Sequence, residues 1–514
     1  MSAQGTAQGT AQGTAQGTAQ RGAREDGRGG TFDVRDPGTG EVVGTYPRHG
    51  EAEVGAAVER ARRAAAWWQG LGFAGRRRRL DAFRGVLAEG VHRLAAVVRE
   101  ETGKPTSDAV LEVALALEHL AWTARNAERV LGPRRVRTTA LSANLSASVE
   151  RKPLGVVGVV GPWNFPVFTP LGSVVPALAA GNAVVLKPSE LATGTGSWLV
   201  AAFAGVVPEQ PVLQLVTGDG STGEALCRSG VDKVAFTGST AAARRVMAAC
   251  AGTLTPLVAE CGGKDAFVVD ADADVGTAAR AAVWSAMSNA GQTCVGTERV
   301  YVHRAVHDAF VAALLREVRG LRAGSDPAAR IGPVRTAAQV ARVEAHVADA
   351  LARGGRVLFR GGPTAGTVVQ PVVLADVPDE ALVNQEETFG PTLTVQVVAD
   401  AEEAVRRANG TRYGLGATVF AGRDGVRIAR RLRTGAVSVN CALGFTQVPA
   451  LPFGGVGDSG FGRVHGPDGL REFSAPQALA RRRFRLPLDV ASFSRSARDD
   501  ARVAALVGLV HGRR

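Results

Sequence analysis

Three short segments carry side chains able to do covalent chemistry. In GPWNFP (161–166), Asn164 follows a strand-like run and lies in a tight turn, where a side-chain amide can point into a cleft. In AECGGKDAF (259–267), Glu260 precedes a Gly-Gly pair that lets other backbone come close. In SNAGQTCVGTERV (288–300), Cys294 sits among small residues after a glycine turn. A thiol, a carboxylate and an amide are the types of a nucleophile, a base and a hydrogen-bond donor. Singly, each has a plainer reading: an asparagine capping its own turn, a glutamate at the surface, a cysteine in an inert loop. The joint presence of all three, in this order and with these flanks, is what points to a site.

The elements that must position them are legible. From Gly155 the chain reads as short β-branched runs, GVVGVVGPW, NAVVLKPSE, VLQLVTGDG and KVAFTGST, each ending in a turn of Gly, Pro or Ser, with helical stretches between. That alternation predicts a parallel sheet with crossover helices, whose ligand lies at the carboxyl ends of the strands. A second α/β stretch runs from about 262 to 450, with DAFVVD, ERVYVH, TLTVQVV and ATVFAG as strands. Ahead of the first sheet, helical spacing over 51–68, 78–101 and 108–130 predicts three helices, and SANLSASVER (142–151) alternates like a strand. Structure is expected to begin near Phe32. Residues 3–20 repeat Ala-Gln-Gly-Thr, and 1–30 read as a disordered low-complexity tail. The Arg-rich stretch beyond 475 ends in a short amphipathic helix, 500–511, for which packing on a partner subunit or its own domain is favoured over an amphipathic anchor on a membrane.

A chain of 514 residues exceeds one small core, so two or three units are expected. It contains no long uncharged apolar run and no basic stretch leading into an apolar one near its start, so neither a membrane span nor a secretory signal is expected, and the cytoplasm is the default. Five scattered cysteines without a C-x-x-C pair suit reduced thiols and no metal site. The formal charge of +12 invites a nucleic-acid reading, but Arg76–Arg79 and Arg481–Arg485 lie in no nucleic-acid module, so no such partner is expected. Arginine supplies nearly all the positive charge. The five lysines, Lys104, Lys152, Lys187, Lys233 and Lys264, are therefore candidates for places that need a compact ammonium.

With KPSE (187–190), FTGST (236–240), QEETFGP (385–391), YGLGATVF (413–420) and LPFGGVGDSGFGR (451–463), the three segments resemble the aldehyde dehydrogenase superfamily over nearly all of residues 32–490. The resemblance implies NAD(P)-dependent oxidation of a small-molecule aldehyde to a carboxylic acid. Cys294 would be the nucleophile, forming a thiohemiacetal and then a thioester. Asn164 and the Cys294 N–H would hold the oxyanion, and Glu260 would activate the hydrolytic water. The implied fold is α/β: a Rossmann-like parallel-sheet cofactor domain, a second α/β catalytic domain and a small oligomerisation β-element. On that pattern residues 31–135 and 152–259 bind NAD(P), 260–450 are catalytic, 136–151 and 451–490 bridge subunits, and 491–514 form a basic tail with a short helix.

By the same resemblance Lys187 would contact the adenosine ribose and Glu190 would accept from its hydroxyls. Gly238 and Ser239 would open a helix facing the pyrophosphate. Glu387 and Phe389 would position the nicotinamide ribose and ring, and Trp163, Ser189, Gly220 and Gly223 complete the cofactor set. Glu190 should repel a 2′-phosphate, so NAD is expected, with NADP as the alternative. Departures from the pattern are Ala243 for a glycine found in many relatives, Cys261 for the leucine of the base motif, and Gly416 for alanine; none touches a catalytic role. Cys261 reads as packing, since neighbouring residues of a strand face opposite ways. KPSE and the PFGGVG…VHG ending are similar to the class 3 branch, which is typically dimeric, so a homodimer or homotetramer is expected. An acylating relative that passes the thioester to coenzyme A generally lacks the glutamate, and an idle NAD-binding scaffold has no need of all three residues; hydrolysis is favoured over both. No pair of arginines can be assigned to a carboxylate-bearing aldehyde, and aromatic, aliphatic and semialdehyde substrates all fit the motifs.

Overall fold

The computed structural model describes residues 30–139, 142–326, 328–486 and 492–512. The expectations for the repeat tail fall outside these residues, apart from Gly30. The first described strand, Thr31–Arg35, pairs antiparallel with Val42–Pro47. Four helices follow: Glu51–Gly70, Gly72–Glu89, Val91–Thr102 and Thr106–Leu131. The single helix expected over 78–101 is two helices, because the chain breaks at Gly90, where a Cβ would meet the Trp198 ring at 2.9 Å. Trp68 Nε1 donates to the Leu178 carbonyl at 2.8 Å, and the Trp68 and Phe83 rings pack edge-on against Phe203. The arginine cluster there serves the fold: Arg76 Nε donates to the Ala179 carbonyl at 3.1 Å, and Arg79 pairs with Glu209 at 2.5 Å.

A six-stranded sheet runs in the order Gly460–Phe461, Leu257–Glu260, Lys233–Thr237, Val156–Val160, Ala183–Lys187, Leu213–Leu215. All neighbours are parallel except the short first strand, which pairs Gly460 with Glu260. From Val156–Val160 the chain builds outward on one side, then returns to lay Lys233–Thr237 on the other. That reversal makes a crevice at the carboxyl edge, where open α/β sheets bind ligands. The turn at 161–164, the KPSE turn, Gly238-Ser239 and Glu260 all lie at that edge.

A seven-stranded sheet has the order Arg356–Arg360, Val372–Ala375, Thr392–Val398, Thr297–His303, Asp265–Val269, Gly416–Phe420, Ala436–Val439, antiparallel only at its first pair. The Cys294 loop enters its central strand Thr297–His303. A third, antiparallel sheet joins Ser474–Arg482, Leu145–Pro153 and Arg134–Val136. The C-terminal helix Ala497–His511 buries none of its residues. No helix among the described residues is long and apolar enough to cross a membrane.

Candidate active site

The chain approaches Cys294 through three consecutive left-handed residues: Asn289 (φ 52°), Ala290 (φ 57°) and Gly291 (φ 69°). Residues with a Cβ adopt this conformation at a cost, and such runs persist only where surroundings fix them. Here they are fixed by reciprocal bonds. Gln292 Nε2 donates to the Asn289 carbonyl at 3.0 Å, and Asn289 Nδ2 donates to the Gln292 carbonyl at 3.1 Å. Gln292 Oε1 accepts from the Arg335 N–H at 2.7 Å, which ties the loop to the segment leading into the helix Ala337–Ala352.

Asn164 is buried next to Phe165, which lines the cavity. Its Nδ2 donates to the Gln292 carbonyl at 3.0 Å, two residues before Cys294. Its own carbonyl accepts from Lys104 Nζ at 2.7 Å and Asn289 Nδ2 at 3.1 Å. Lys104 also donates to Glu112 at 2.6 Å, and Glu112 Oε1 accepts from the Val167 and Phe168 N–H groups at 2.7 and 3.1 Å. The second Asn164 amide hydrogen and the Cys294 backbone N–H find no acceptor among the described residues.

Cys294, Glu260, Thr293 and Asn289 line one cavity. Burial lifts the Cys294 thiol far above its ordinary range, and the carboxylates of Glu260, Glu387 and Asp265 add to this, so the thiol is held protonated. Burial also raises the Glu260 carboxyl to about 8, against the charge of Arg463. Glu260 Oε1 and Thr293 Oγ1 are buried with no hydrogen-bond partner among the described residues. Glu387 is likewise raised to about 8, by burial and then by Glu298, while accepting from the Gly263 N–H at 3.3 Å. A Cβ at Gly262 would lie 2.1 Å from Glu387 Oε2, so glycine admits that carboxylate. Cys261 is buried, and burial lifts its thiol to about 12.

The remaining candidates gather around the crevice. Lys187 Nζ lies 3.6 Å from Glu190 Oε2, and Ser189 Oγ donates to the same carboxylate at 3.3 Å. Lys187 is buried, whereas the Glu190 side chain is 44% exposed. A buried ammonium beside an accessible carboxylate supplies the donor and acceptor that a ribose diol needs. Ser239 caps the helix Thr240–Ala251, accepting from the Ala242 N–H at 3.3 Å, and leaves its N-terminus, with Gly238, facing the crevice. These features fit a dinucleotide. Phe389 (φ 57°), in the loop ahead of the strand Thr392–Val398 of the seven-stranded sheet, meets Trp163 edge-on at 5.7 Å, which joins the two units. Gly223 lies under the Lys187 stem, but Gly220 faces open space, and its helix is capped by the anionic Asp219, paired with Arg48. Gly220 opens the helix whose capping carboxylate, Asp219, interacts electrostatically with Lys187.

Sequence reasoning missed the supports. Glu298 accepts from Lys264 and from the Thr388 and Phe389 N–H groups, the latter two at 3.0 and 3.1 Å, fixing the segment that carries Glu387. Lys104 and Glu112 do the same for Asn164. One signal was present: lysine is scarce, and Lys104, Lys187, Lys233 and Lys264 are all buried. Glu298 carried none, because its partners are distant in sequence, and although Lys104 lies near Glu112 in the chain, the Val167 and Phe168 N–H groups that Glu112 also holds do not.

The sequence profile of the aldehyde dehydrogenase family matches residues 24–479. The chain is 38% identical to a 4,4′-diapolycopene aldehyde oxidase of Methylomonas over 489 residues, covering 94% of this chain and 92% of that one. It is 36% identical to a glutarate-semialdehyde dehydrogenase of Pseudomonas aeruginosa, covering 87% and 93%. Its fold matches the crystal structure of an NAD-dependent aldehyde dehydrogenase from Sinorhizobium meliloti with a TM-score of 0.85, at 31% identity, covering 89% and 92%. With motifs, fold and a thiol–carboxyl cavity in agreement, the chain belongs to the aldehyde dehydrogenase family and is an enzyme that oxidises an aldehyde with NAD(P).

Proposed function

We propose that the enzyme works through a thioester on Cys294, hydrolysed by a water that Glu260 activates. The observation that carries this reading is the shared cavity, in which thiol and carboxyl meet and Glu260 Oε1 has no partner. A buried carboxylate oxygen without a donor is a place for water or a reacting group.

Because the Cys294 thiol is held protonated, a base must take its proton as sulfur attacks, and Glu260 is the carboxylate facing it. The sulfur pair forms the C–S bond, and the carbonyl π pair moves to oxygen. That oxyanion accepts from the free Asn164 amide hydrogen and the Cys294 N–H. The cofactor, when bound, supplies the hydride acceptor for the substrate carbon. Glu260, its proton passed to solvent, then takes a proton from water. Hydroxide adds to the thioester carbonyl, the same donors hold the second oxyanion, and the C–S bond breaks to release the acid.

Lys187, Ser189 and Glu190 would hold the adenosine ribose, the Gly238-Ser239 helix start the pyrophosphate, and Trp163, Glu387 and Phe389 the nicotinamide end. The exposed Glu190 carboxylate favours NAD over NADP. On this reading the six-stranded unit binds cofactor and the seven-stranded unit carries the nucleophile. The third sheet exposes Leu479 and Val136 beside unpaired edges, which suits a homodimer or homotetramer. Five free cysteines among the described residues suit the cytoplasm.

Mass spectrometry tests the chemistry. Glu260→Gln, given aldehyde and NAD, is expected to accumulate an acyl adduct on Cys294 while steady turnover falls about a thousandfold; Cys294→Ala should form none. Turnover that appears only with coenzyme A would replace hydrolysis by acyl transfer.

A further inference from the structure

The cavity leading to Cys294 opens to solvent between the helices Thr106–Leu131 and Val275–Met287. Its inner wall is hydrocarbon: Leu115, Phe165, Phe168, Leu443, Phe453 and Val464. At its mouth Leu111 and Trp284 are 46% and 44% exposed, an unfavourable state for large apolar side chains in the same rim. The carboxyl groups in its lining are Asp108, Glu112 and Glu260. Glu112 is matched by Lys104, which is spent on Glu112 and the Asn164 carbonyl. No Lys or Arg among the described residues lines the cavity, and the one imidazole, His465, is held neutral by burial and by His119.

A carboxylate entering this space would lose its water, meet no cation and face carboxyl groups. A hydrocarbon chain has the opposite balance: every methylene leaves water for Leu and Phe surface. A chain longer than the inner tunnel would also cover Leu111 and Trp284. Resting on the reading of Cys294 as nucleophile, we propose that the substrates are uncharged aldehydes whose hydrocarbon body fills the tunnel and covers Leu111 and Trp284, and that semialdehydes bearing a carboxylate are rejected.

The test compares kcat/KM of the full chain with NAD for butanal, hexanal, decanal and succinate semialdehyde. The expected result is a rise of about fourfold per added methylene through the inner tunnel, with succinate semialdehyde at least about a hundredfold below butanal. Leu111→Arg, an exposed position, should raise the succinate semialdehyde to butanal ratio about tenfold. A flat chain-length series, or succinate semialdehyde equal to butanal, overturns the proposal and leaves the hydrolytic chemistry standing. Protection of Cys294 against iodoacetamide, followed by peptide mass spectrometry, reads the tunnel without turnover. If no aldehyde is oxidised, the hydrolytic reading falls, yet stronger protection by decanamide than by succinamate still upholds the tunnel's preference; equal or reversed protection overturns it.

Discussion

Lys104 Nζ sits 2.6 Å from Glu112 and 2.7 Å from the carbonyl of Asn164, and neither member of the ion pair exposes any side-chain surface. The pair therefore joins the helix Thr106–Leu131 to the turn whose amide reaches the Cys294 loop. Lys104→Met leaves a buried carboxylate without its cation and is expected to cost about 3–5 kcal/mol, read by denaturant unfolding. Lys104→Met/Glu112→Gln should recover much of that stability, because no uncompensated charge remains. Its kcat should stay about tenfold or more below wild type, because the Asn164 carbonyl still lacks its ammonium donor. Recovery of both properties would confine the pair to a structural role.

Glu260 and Glu387 both carry folded values of about 8, raised by burial from an ordinary value of 4.5. A base must be ionised to act, so kcat is expected to rise with pH through about 8 when hydrolysis limits turnover, and Glu260→Gln should flatten that rise. Stability moves the other way. Between 4.5 and about 8 the folded protein keeps protons that the unfolded chain releases, so stability is full below 4.5 with respect to these groups and is lost as pH climbs through 8. Thermal melts from pH 5 to 9 should fall less steeply for Glu260→Gln than for wild type; equal slopes would show that Glu260 ionises freely in the fold.

What was legible in the sequence was local. The runs at 156–160, 183–187 and 233–237 are β-branched and each ends in a turn, so their burial in a parallel sheet follows from a few adjacent residues. Asn164, Glu260 and Cys294 each lie within a short quoted segment. The break at Gly90 was hidden because apolar spacing continues in phase from Leu87 to Leu94, and periodicity does not register a single-residue kink. Glu112 and Glu298 were hidden for another reason. A buried carboxylate is recognised by its donors, and those of Glu298 come from Lys264 and the 388–389 backbone, which only the fold brings near. The character of the cavity that reaches Cys294 belongs to the same class, since its wall is assembled from several separated stretches of chain.

Beside the tunnel, His119 and His465 place their Nδ1 atoms 2.9 Å apart, and His119 Nε2 faces the Thr446 carbonyl at 2.9 Å. A nitrogen facing a carbonyl must donate, so His119 Nδ1 accepts and His465 Nδ1 carries the shared proton. Burial lowers both imidazoles, and His119 depresses His465 further; burial, with Lys264 adding to it, lowers His346 to about 4. These groups contribute stability that is present above the unfolded value of 6.5 and is lost as pH falls below it, because the unfolded chain then takes up protons that the fold refuses. Relative to wild type, His119→Gln should gain melting temperature as pH is lowered from 7 to 5, because the variant no longer loses this contribution while the carboxyl groups act alike in both proteins. An unchanged slope would assign the acid sensitivity to other groups.

Gly291 bears the tightest geometry in the Cys294 loop: φ is 69°, and a Cβ would stand 2.0 Å from the Gly390 carbonyl oxygen. Alanine in a left-handed position costs about 1 kcal/mol in backbone energy alone. Here the obstacle is also backbone, which cannot swing aside as a side chain would. Gly291→Ala is therefore expected to shift the loop against the strand entry at Thr392 and to lower kcat at least about tenfold, with a smaller change in KM. Ala290→Gly provides the contrast, since φ at 290 is 57° and glycine accepts that conformation without strain. It should keep wild-type kcat. If Gly291→Ala also keeps wild-type kcat and melting temperature, the left-handed run is not what holds Cys294 in place.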